Sequence, residues 1–429
     1  MYDLVIIGAG WAGFNAALRA KELNLKVALI EKSLTGGVCL NSGCIPTKAL
    51  IQSAKVFNLV KKSSDFGIIS PDPHLDFLKV QERKNKVIDG LRLGMQSMLK
   101  GVDFFNAEAR IISPQEIDIG KSIIKTKFIL LATGSVPLEL NQIKFDGKKV
   151  LSSNDILSCK ELPRSLLIIG GGVIGCEFAS LFASLGVEVS ITEKMPQLLP
   201  GEDREIAKRI ESIFRKKGIK VNTATDALRF SRDDFSLVLV SIGRSAKCCV
   251  PGLEEIKVKL DSGMVIVDEY LKTNLNNVYA AGDCTAKIML AHFAAYQGRL
   301  AVENMFSNNT PSKLDHSTVP NCIFTDPEIA SVGLNEDEAI RKGIAININK
   351  FDYLGSGMAR IIDQTQGFLK IISDKEQGVL LGCSIIGPMA TEIIATMTLA
   401  LSCRITLKQL RSTIFAHPTL SESISEALR

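Results

Sequence analysis

The chain contains one pattern twice, and this repetition limits the folds open to it more than any other feature. In each copy, a short apolar run (residues 4–7 or 166–169) precedes three glycines spaced Gly-x-Gly-x-x-Gly. An apolar-periodic stretch follows, then a second apolar run that ends in a glutamate. The copies match at an offset of 162 residues, which pairs Gly8 with Gly170, Gly10 with Gly172, Gly13 with Gly175 and Glu31 with Glu193. Each copy predicts a strand, a glycine-rich turn, a helix and a second strand.

The residue types at these positions suit a bound dinucleotide. The first glycine makes the turn from strand to helix, the second lets the backbone approach a pyrophosphate, and the third packs the helix against the strand. The helix N-terminus favours the negative charge, and the acid accepts hydrogen bonds from ribose hydroxyls. A single glycine motif would also fit an ordinary tight turn. Two motifs in register, each with its acid, indicate two dinucleotide sites.

Two further segments indicate which copy takes a flavin. Residues 129–135 form a buried strand pattern that runs into a glycine turn and closes the first copy. Residues 278–283 form another, which ends in a glycine and Asp283. Asp283 suits the ribityl chain of a flavin or, alternatively, the cap of a helix. We expect a discontinuous FAD-binding domain at residues 1–140 and 258–318, an inserted NAD-binding domain at 141–257, and a C-terminal domain at 319–429.

The C-terminal segment predicts an α+β unit. Strand-like runs at 346–351, 367–372 and 380–386 precede an apolar helix at about 391–402. The apolar residues of this helix are spread around its circumference, so it needs cover on more than one side: Ile393, Ile394, Met397, Leu399 and Leu401. We therefore expect a homodimer. The predicted fold class is α/β, with two Rossmann-like dinucleotide-binding domains, one inserted in the other, plus a C-terminal α+β dimerisation domain.

Cys39 and Cys44 follow the first dinucleotide-binding pattern, where a flavin ring could reach both thiols. Three turn formers at 41–43 let the chain bend back between them, whereas positions i and i+5 of a regular helix lie too far apart for a disulfide. Pro46 suits the first turn of a following helix, whose positive end favours a thiolate at Cys44. The spacing alone is also compatible with two buried thiols, and the position beside a nucleotide site favours a redox-active disulfide.

Composition excludes several other classes of protein. Most free cysteines are small buried hydrophobes, and we expect this of most of the other eight, including Cys248 and Cys249. The net charge is only +5 over 429 residues, and the basic runs lack interleaved aromatics, so we expect no nucleic-acid partner. Charges interrupt every long apolar run, which predicts no membrane span. The sequence enters a strand at once without a basic leader, and we expect a cytoplasmic protein without a metal site.

Several longer motifs carry a resemblance to a known family. They are Gly-Gly-x-Cys-Leu-Asn-x-Gly-Cys-Ile-Pro-Thr-Lys at 36–48, Ala-Thr-Gly at 132–134, Ser-Ile-Gly-Arg at 241–244, Ala-Ala-Gly-Asp at 280–283, Met-Leu-Ala-His at 289–292, Thr-Asp-Pro-Glu-Ile-Ala-Ser-Val-Gly at 325–333 and His-Pro-Thr-Leu-Ser-Glu at 417–422. From residue 2 to its last residues, the chain resembles the flavoprotein disulfide reductases, and among them most closely the dihydrolipoamide dehydrogenases. The resemblance implies FAD-dependent oxidation of protein-bound dihydrolipoamide with reduction of NAD+.

The resemblance also implies a role for each site residue. Cys39 would meet the substrate and Cys44 would face the flavin, while His417, held by Glu422, would be the acid–base of the other subunit's site. Lys48 would pair with Glu177 near the flavin. The implied FAD contacts are Gly8, Gly10, Gly13, Glu31, Lys48, Ala109, Thr133, Gly134, Ser135, Asp283, Met289, Leu290, Ala291 and, through its backbone, His292. The implied NAD contacts are Gly170, Gly172, Gly175, Glu177, Glu193 and Gly243. The implied partner is the lipoyl domain of a 2-oxoacid dehydrogenase or glycine cleavage complex.

The chain departs from the family in one region. Only about a dozen residues, 225–236, replace the small meander that members usually have before the next buried strand, so we expect a trimmed NAD-binding domain. Three other functions stay open: an NAD(P)H-dependent reductase of glutathione or another disulfide, a mercuric ion reductase, and a flavin-binding redox sensor. The region around His417 carries no cysteine pair of the kind a mercuric ion reductase uses. A sensor would not need the combination of Cys39, Cys44, His417 and Glu422.

Overall fold

The computed structural model describes residues 1–246, 248, 250–285, 288–306 and 310–429. These residues form two compact units. The first unit comprises Met1–Leu140, Ser152–Glu161 and Gly243–Leu314; the second comprises Asn141–Leu151, Leu162–Ile242 and Asp315–Arg429. The three-domain division at 140, 257 and 318 stays a prediction.

The strands of the described residues are numbered in chain order. They are β1 (Tyr2–Ile7), β2 (Val27–Glu31), β3 (Asp103–Asn106), β4 (Arg110–Ser113), β5 (Glu116–Asp118), β6 (Ile123–Leu131), β7 (Val136–Pro137), β8 (Val150–Leu151), β9 (Ser165–Ile169), β10 (Glu188–Thr192), β11 (Lys220–Asn222), β12 (Leu237–Val240), β13 (Arg244–Ser245), β14 (Leu260–Asp261), β15 (Met264–Val265), β16 (Val278–Ala280), β17 (Asn321–Ile323), β18 (Glu328–Gly333), β19 (Ile346–Asp352), β20 (Phe368–Asp374) and β21 (Leu380–Gly387).

The α-helices of the same residues are numbered likewise. They are α1 (Trp11–Glu22), α2 (Gly37–Ser42), α3 (Cys44–Lys61), α4 (Phe77–Met98), α5 (Val173–Ser184), α6 (Arg204–Lys216), α7 (Ala291–Phe306), α8 (Glu336–Arg341), α9 (Gly357–Ile361), α10 (Ala390–Ser402), α11 (Leu407–Ser412) and α12 (Ser423–Glu426). None of the helices in the described part of the chain combines the length and apolarity that a bilayer crossing requires.

The first unit is built on a seven-stranded sheet in the order β3-β2-β1-β6-β5-β4, with β16 also paired to β6. Strands β3, β2, β1, β6 and β16 are parallel, while β5 and β4 form an antiparallel extension. Val5, Ile7, Ala28 and Ile30 are buried in its core, as expected for apolar strands of a parallel sheet that is covered on both faces. The pairing of β16 with β6 joins a distant part of the sequence to the N-terminal sheet.

The second unit contains a five-stranded parallel sheet in the order β11-β10-β9-β12-β8. Helix α5 connects β9 to β10 and repeats the arrangement of α1 between β1 and β2. Between β11 and β12 the chain forms only two short 3₁₀ turns, Ala227–Arg229 and Arg232–Asp234. The structure thus confirms the short connection predicted at 225–236.

A second sheet of the same unit is antiparallel throughout, in the order β17-β18-β21-β20-β19. Strands β19, β20 and β21 and helix α10 confirm the elements predicted between residues 346 and 402. Ile393, Ile394 and Met397 on α10 are buried in the core of this sheet, whereas Leu399 is 66% exposed. The sheet therefore covers one side of α10 and leaves apolar surface on another. The two parallel sheets with their glycine-rich turns, together with this α+β segment, confirm the predicted fold class.

Four of the seven other cysteines that the structure describes are buried, in line with the prediction. The buried ones are Cys176, Cys248, Cys284 and Cys383, whereas Cys159 and Cys322 are partly covered and Cys403 is exposed. Cys249 lies outside the described residues. Burial raises the pKa of the Cys176 thiol and of the Cys284 thiol, the latter to about 12, which keeps both protonated and unreactive.

Candidate active site

The loop after β1 turns on Gly8, whose φ is 107°. A Cβ atom there would lie 2.3 Å from the carbonyl oxygen of Ala132, just after β6, so a larger residue does not fit. A Cβ on Gly13 would lie 1.8 Å from the Gly8 carbonyl oxygen, which shows that α1 packs directly on the loop. Helix α1 begins at Trp11, immediately after this loop, and its N-terminus is positioned to bind a pyrophosphate.

The loop after β9 has nearly the same geometry. The φ of Gly170 is 105°, and a Cβ on it would lie 2.5 Å from the carbonyl oxygen of Ser241. The backbone angles of Gly172 (φ −74°, ψ −169°) match those of Gly10 (φ −72°, ψ −173°). A Cβ on Gly175 would lie 1.9 Å from the Gly170 carbonyl oxygen. The sequence repeat is therefore a structural repeat, and each copy has the backbone shape that a dinucleotide needs.

The two predicted ribose-binding acids are fixed by their own loops. Each carboxylate accepts two backbone N–H hydrogen bonds: Glu31 from Ala9 (2.7 Å) and Ser33 (2.8 Å), and Glu193 from Gly171 (2.6 Å) and Met195 (2.7 Å). Glu193 is buried and Glu31 half-buried. These bonds hold both carboxylates at the edge of the glycine loop, where the ribose of a bound dinucleotide is predicted to lie.

Asp283 belongs to a hydrogen-bonded cluster that the sequence did not reveal. The Ser135 hydroxyl donates to Asp283 Oδ2 over 2.6 Å. Arg244 donates from Nε to Ser135 Oγ and from a terminal nitrogen to the Ser135 carbonyl oxygen, both over 2.8 Å. Burial lowers the pKa of Arg244, and the charge of Asp283 opposes this shift. The only sequence signal was the Ser-Ile-Gly-Arg motif at 241–244, from which we predicted an NAD contact at Gly243.

Gly243 lies in the first unit, beside the same cluster. Its carbonyl oxygen accepts a hydrogen bond from the Leu138 amide over 3.1 Å, and β13, which follows it, pairs with β7. This pairing brings Arg244 to Ser135. A contact between Gly243 and the nicotinamide stays a prediction.

The N-terminus of α7 carries the predicted flavin contacts at 289–292. Met289 and Leu290 precede the helix, Ala291 is its first residue, and the side chain of His292 is exposed. The buried Gln297 accepts a hydrogen bond from the Gly282 amide over 2.7 Å. Because Gly282 directly precedes Asp283, this bond ties α7 to the Asp283 cluster.

Two other predicted flavin contacts, Ala109 and Thr133, adjoin strands β4 and β6 of the first sheet. Ala109 is buried, just before β4, in the core of the unit. The hydroxyl of Thr133 donates to the thiol of Cys248 over 3.1 Å, a contact that sequence spacing gave no reason to expect. Thr133 and Gly134 connect the end of β6 to Ser135.

Cys39 and Cys44 lie on either side of a break between two helices. Cys39 is inside α2, Cys44 is the first residue of α3, and Gly43 between the helices has φ −144° and ψ −117°. The prediction of three turn-forming residues was wrong for Asn41 and Ser42, which are helical. The Asn41 side chain bonds the carbonyl oxygens of residues 35 and 37, so it stabilises the short helix from within. The single break at residue 43 is enough to bring the two thiols together.

The two thiols interact directly. A hydrogen bond with Cys44 is the main cause that raises the pKa of Cys39; burial adds to the rise, while Trp11 and the charge of Lys48 oppose it. Pro46 is the third residue of α3, in the first turn, as predicted. Cys44 therefore sits at the positive end of an 18-residue helix, which stabilises a negative charge there.

His417 and Glu422 form the predicted pair in the second unit. Nδ1 of His417 lies 2.8 Å from Oε1 of Glu422, and the other carboxylate oxygen accepts the Thr419 amide over 2.9 Å. The Thr419 amide and then His417 lower the pKa of Glu422, which keeps it ionised. With the proton on Nδ1, the imidazole has Nε2 ready to accept one. The His417 side chain is 80% exposed in the single chain.

Lys48 and Glu177 lie in different units, and their pairing stays a prediction. Lys48 is on α3, one helical turn after Cys44. Glu177 is buried on α5, and Oε1 accepts a hydrogen bond from the Phe324 amide over 2.9 Å.

Residues 2–298 match the family model described as pyridine nucleotide-disulphide oxidoreductase, and residues 319–428 match the dimerisation domain of that family. The chain belongs to the pyridine nucleotide-disulphide oxidoreductase family. Its members are oxidoreductases that use FAD and NAD(H). The match to the dimerisation domain supports a homodimer.

Individual relatives cover almost the whole chain. Dihydrolipoyl dehydrogenase of Bacillus subtilis is 39% identical over 460 aligned residues, 99% of this chain and 97% of that protein. Because the alignment is longer than the 429 residues of this chain, the relative contains segments that this chain lacks. The structure of LpdA from Mycobacterium tuberculosis is 27% identical with a TM-score of 0.91, covering 100% of this chain and 99% of that one. A copper(II) complex of the HOCl-induced flavoprotein disulfide reductase RclA from Escherichia coli is 29% identical with a TM-score of 0.89, covering 99% of both chains.

The residues present fit both cofactors of the family. In the first unit, the glycine loop, Glu31 and the Asp283 cluster are fixed by hydrogen bonds within the unit and lie on the sheet that also carries β16. In the second unit, the repeated glycine loop and Glu193 have the same geometry as their counterparts in the first unit. The residues predicted to bind NAD include no counterpart of Asp283. The thiol pair lies next to the first loop, because the Gly36 amide donates to the Ala9 carbonyl oxygen over 2.8 Å.

Proposed function

We propose that the protein is a dihydrolipoyl dehydrogenase, which oxidises protein-bound dihydrolipoamide to lipoamide and reduces NAD+ to NADH. The observation that carries this proposal is the adjacent pair Cys39 and Cys44 beside the first dinucleotide loop. The relative from Bacillus subtilis has this name and aligns along almost the full chain. Both features fit an enzyme that passes electrons between a dithiol and a dinucleotide.

In the catalytic cycle, Cys39 and Cys44 start as a disulfide. A substrate thiolate attacks Sγ of Cys39, the bond between the cysteines breaks, and Cys44 leaves as a thiolate. The second substrate sulfur, after losing its proton, displaces Cys39 and closes the disulfide of lipoamide. Two electrons have then moved from the substrate to the cysteine pair, and the protons of the two substrate thiols have been released. Bound FAD supplies the redox chemistry that relays the electron pair to NAD+ as a hydride.

His417 is proposed as the base that takes the substrate protons. Thiol exchange requires thiolates, and a neutral imidazole with Nδ1–H bonded to a carboxylate accepts protons at Nε2. Glu422 fixes the ring and stabilises the imidazolium that forms. We place each His417 in the site of the opposite subunit of a C2 dimer, where the partner would cover its exposed side chain.

Lys48 and Glu177 are proposed to pair near the flavin, where a buried ammonium group needs a carboxylate to stay charged. Glu193 is proposed to select NAD over NADP, because a carboxylate repels the 2′-phosphate of NADP. The macromolecular partner would be the lipoyl domain of a 2-oxoacid dehydrogenase or glycine cleavage complex. The cytoplasm is the proposed location.

One observation supports a second candidate function, reduction of another disulfide. The structural similarity to RclA, a flavoprotein disulfide reductase, covers 99% of the chain, against 100% for the similarity to LpdA. The cysteine pair and glycine loops would serve equally well in a reductase that passes electrons from a pyridine nucleotide to another disulfide.

Turnover of free dihydrolipoamide with NAD+ separates these functions. The purified holoenzyme should form NADH from dihydrolipoamide and NAD+, and should show far lower activity with NADPH and glutathione disulfide. The Cys39→Ser and Cys44→Ser variants should each lose the dihydrolipoamide reaction while retaining bound FAD. Efficient NADPH-driven reduction of glutathione disulfide without dihydrolipoamide turnover would contradict the proposal.

A further inference from the structure

Trp11 is the single tryptophan of the chain and the first residue of α1. Within the described residues its indole nitrogen is buried and makes no hydrogen bond of regular geometry. A buried N–H without an acceptor costs about 1–3 kcal/mol, so a structural role alone would favour an apolar ring here. The ring packs edge-on against Phe14, with centroids 6.3 Å apart.

Two backbone contacts place Trp11 next to the thiol pair. The Gly36 amide donates to the Ala9 carbonyl oxygen over 2.8 Å. One residue further on, a Cβ on Gly37 would lie only 2.7 Å from the Cα of Gly10, so the start of α2 is in direct contact with the start of α1. Trp11 and Cys39 each lie in the first turn of their helix, so the contact between the two helix starts brings them close together.

The electrostatics of Cys39 are consistent with this placement. Trp11 lowers the pKa of Cys39, against the larger rise caused by Cys44 and by burial. The charged groups that face Cys39 are on α3, namely Lys48 and the thiol of Cys44. From α4, Arg92 bonds the Asn41 side chain rather than the thiol. An N–H beside a thiol that must become a thiolate has a direct chemical use.

We propose that Trp11 is a positioning residue that donates its indole N–H to the thiolate of Cys39 in the reduced enzyme. The indole N–H makes no regular hydrogen bond beside the neutral thiol, and we expect the bond to form when the sulfur becomes an anion. The inference rests on the proposed function, because it gives a purpose to the Cys39 thiolate. It adds a residue of the glycine loop region to the control of thiol reactivity.

The test measures the ionisation of Cys39 and needs no lipoamide. The holoenzyme is reduced with one equivalent of NADH without oxygen and alkylated with iodoacetamide across a range of pH. Mass spectrometry then gives the rate at Cys39, separately from Cys44. Trp11→Phe keeps an aromatic ring and removes the N–H, so the apparent pKa of Cys39 should rise by about one unit, a roughly tenfold slower alkylation at neutral pH.

Two matched changes separate the N–H from the packing of the ring. Replacement of the single tryptophan by 3-benzothienylalanine substitutes sulfur for N–H in a ring of the same shape, and should give the same shift as Trp11→Phe. Phe14→Leu removes the ring partner and keeps the N–H, and should change thermal stability or FAD content while leaving the Cys39 profile unchanged.

An unchanged Cys39 profile in both Trp11 variants would overturn the inference, as would an equal shift in Phe14→Leu. Failure of the proposed function has a different signature: the wild-type holoenzyme would not turn over dihydrolipoamide, while the comparison of alkylation profiles would still be complete.

Discussion

Nδ1 of His417 lies 2.8 Å from Oε1 of Glu422, and the Thr419 amide holds the second oxygen of the same carboxylate. This arrangement fixes the ring plane and the tautomer before any substrate binds. Because the ring is otherwise exposed in the single chain, it is accessible to the other subunit of the proposed dimer.

A first prediction follows for mixed dimers. Cys44→Ser and His417→Ala homodimers should each be nearly inactive. The first lacks one thiol of the redox pair, and loss of a general base costs the second about 10²- to 10⁴-fold. After subunit exchange, half of the sites in each heterodimer would combine intact cysteines with an intact histidine, and dihydrolipoamide turnover should reappear. A mixture of Cys44→Ser with Cys39→Ser is the control that should stay inactive. Absence of recovery despite exchange, verified by native mass spectrometry, would place His417 in its own subunit's site or outside catalysis.

A second prediction concerns the choice of nicotinamide cofactor. Glu193 is held by the Gly171 and Met195 amides, so its charge is fixed at the second loop. Glu193→Gln keeps the size and removes the charge, and should raise kcat/KM for NADPH relative to NADH; Glu193→Arg should raise the ratio further. Glu188→Gln, at an exposed position of the same strand region, should leave the ratio unchanged. Equal kcat/KM for the two cofactors in the wild-type enzyme would contradict the assignment of Glu193.

A third prediction concerns the buried ammonium group of Lys370. Its Nζ lies 3.0 Å from Asp203, 2.9 Å from Glu205 and 2.6 Å from Glu336, and its side chain is 1% exposed. Lys370→Met would leave these carboxylates without their shared cation, and should lower the free energy of unfolding by about 3–5 kcal/mol. The matched control is Lys350→Met, which removes a partly exposed partner of the same Glu205 and should cost about 0–1 kcal/mol. If urea unfolding gave the same loss of unfolding free energy for both variants, burial of the ammonium group would not explain the effect of Lys370.

A fourth prediction concerns the pH dependence of stability. Burial is the main cause that raises the pKa of Glu202. Hydrogen bonds from Asn321 and Ser331 lower this pKa by a smaller amount, and the charges of Asp203 and Glu338 add to the rise. The folded state therefore holds the proton more tightly than the unfolded state. The stabilisation is complete below the ordinary pKa and is lost as pH rises through the raised value. Glu202→Gln should lose less stability than the wild type between about pH 5 and pH 8.

Urea unfolding midpoints at the two pH values check this expectation. Glu188→Gln, at an exposed position, should follow the wild type. A wild type and a Glu202→Gln variant with the same pH dependence would show that the folded state does not hold the Glu202 proton more tightly than the unfolded state.

The parts of the site that were predictable from sequence are those where the backbone leaves no alternative. Gly8 and Gly170 have a positive φ and a carbonyl oxygen packed against Cα. Only glycine fits both conditions, so these positions can be recognised in the sequence. The carboxylates of Glu31 and Glu193 each bond one amide two residues further on and one amide of the glycine loop 22 residues earlier, so their spacing is set within a short stretch of chain. The same holds for His417 and Glu422.

The parts that were not predictable depend on packing between distant segments. Arg244 reaches Ser135 because β13 pairs with β7, and no local pattern encodes that pairing. Trp11 adjoins Cys39 because two glycines allow α1 and α2 to touch. Asn41 is helical where a turn was predicted, because its side chain satisfies backbone carbonyls inside α2 instead of capping a turn.

The proposed mechanism depends on electron exchange through a disulfide between Cys39 and Cys44, and differential alkylation measures the redox state of both thiols. The air-oxidised holoenzyme is denatured and labelled with one iodoacetamide isotope, and a sample reduced with one equivalent of NADH is denatured and labelled with another. We expect Cys39 and Cys44 to be unlabelled in the oxidised sample and fully labelled after reduction, while Cys403, exposed in the single chain, is labelled equally in both. Equal labelling of Cys39 and Cys44 in the two samples would show that these cysteines do not form a redox-active disulfide.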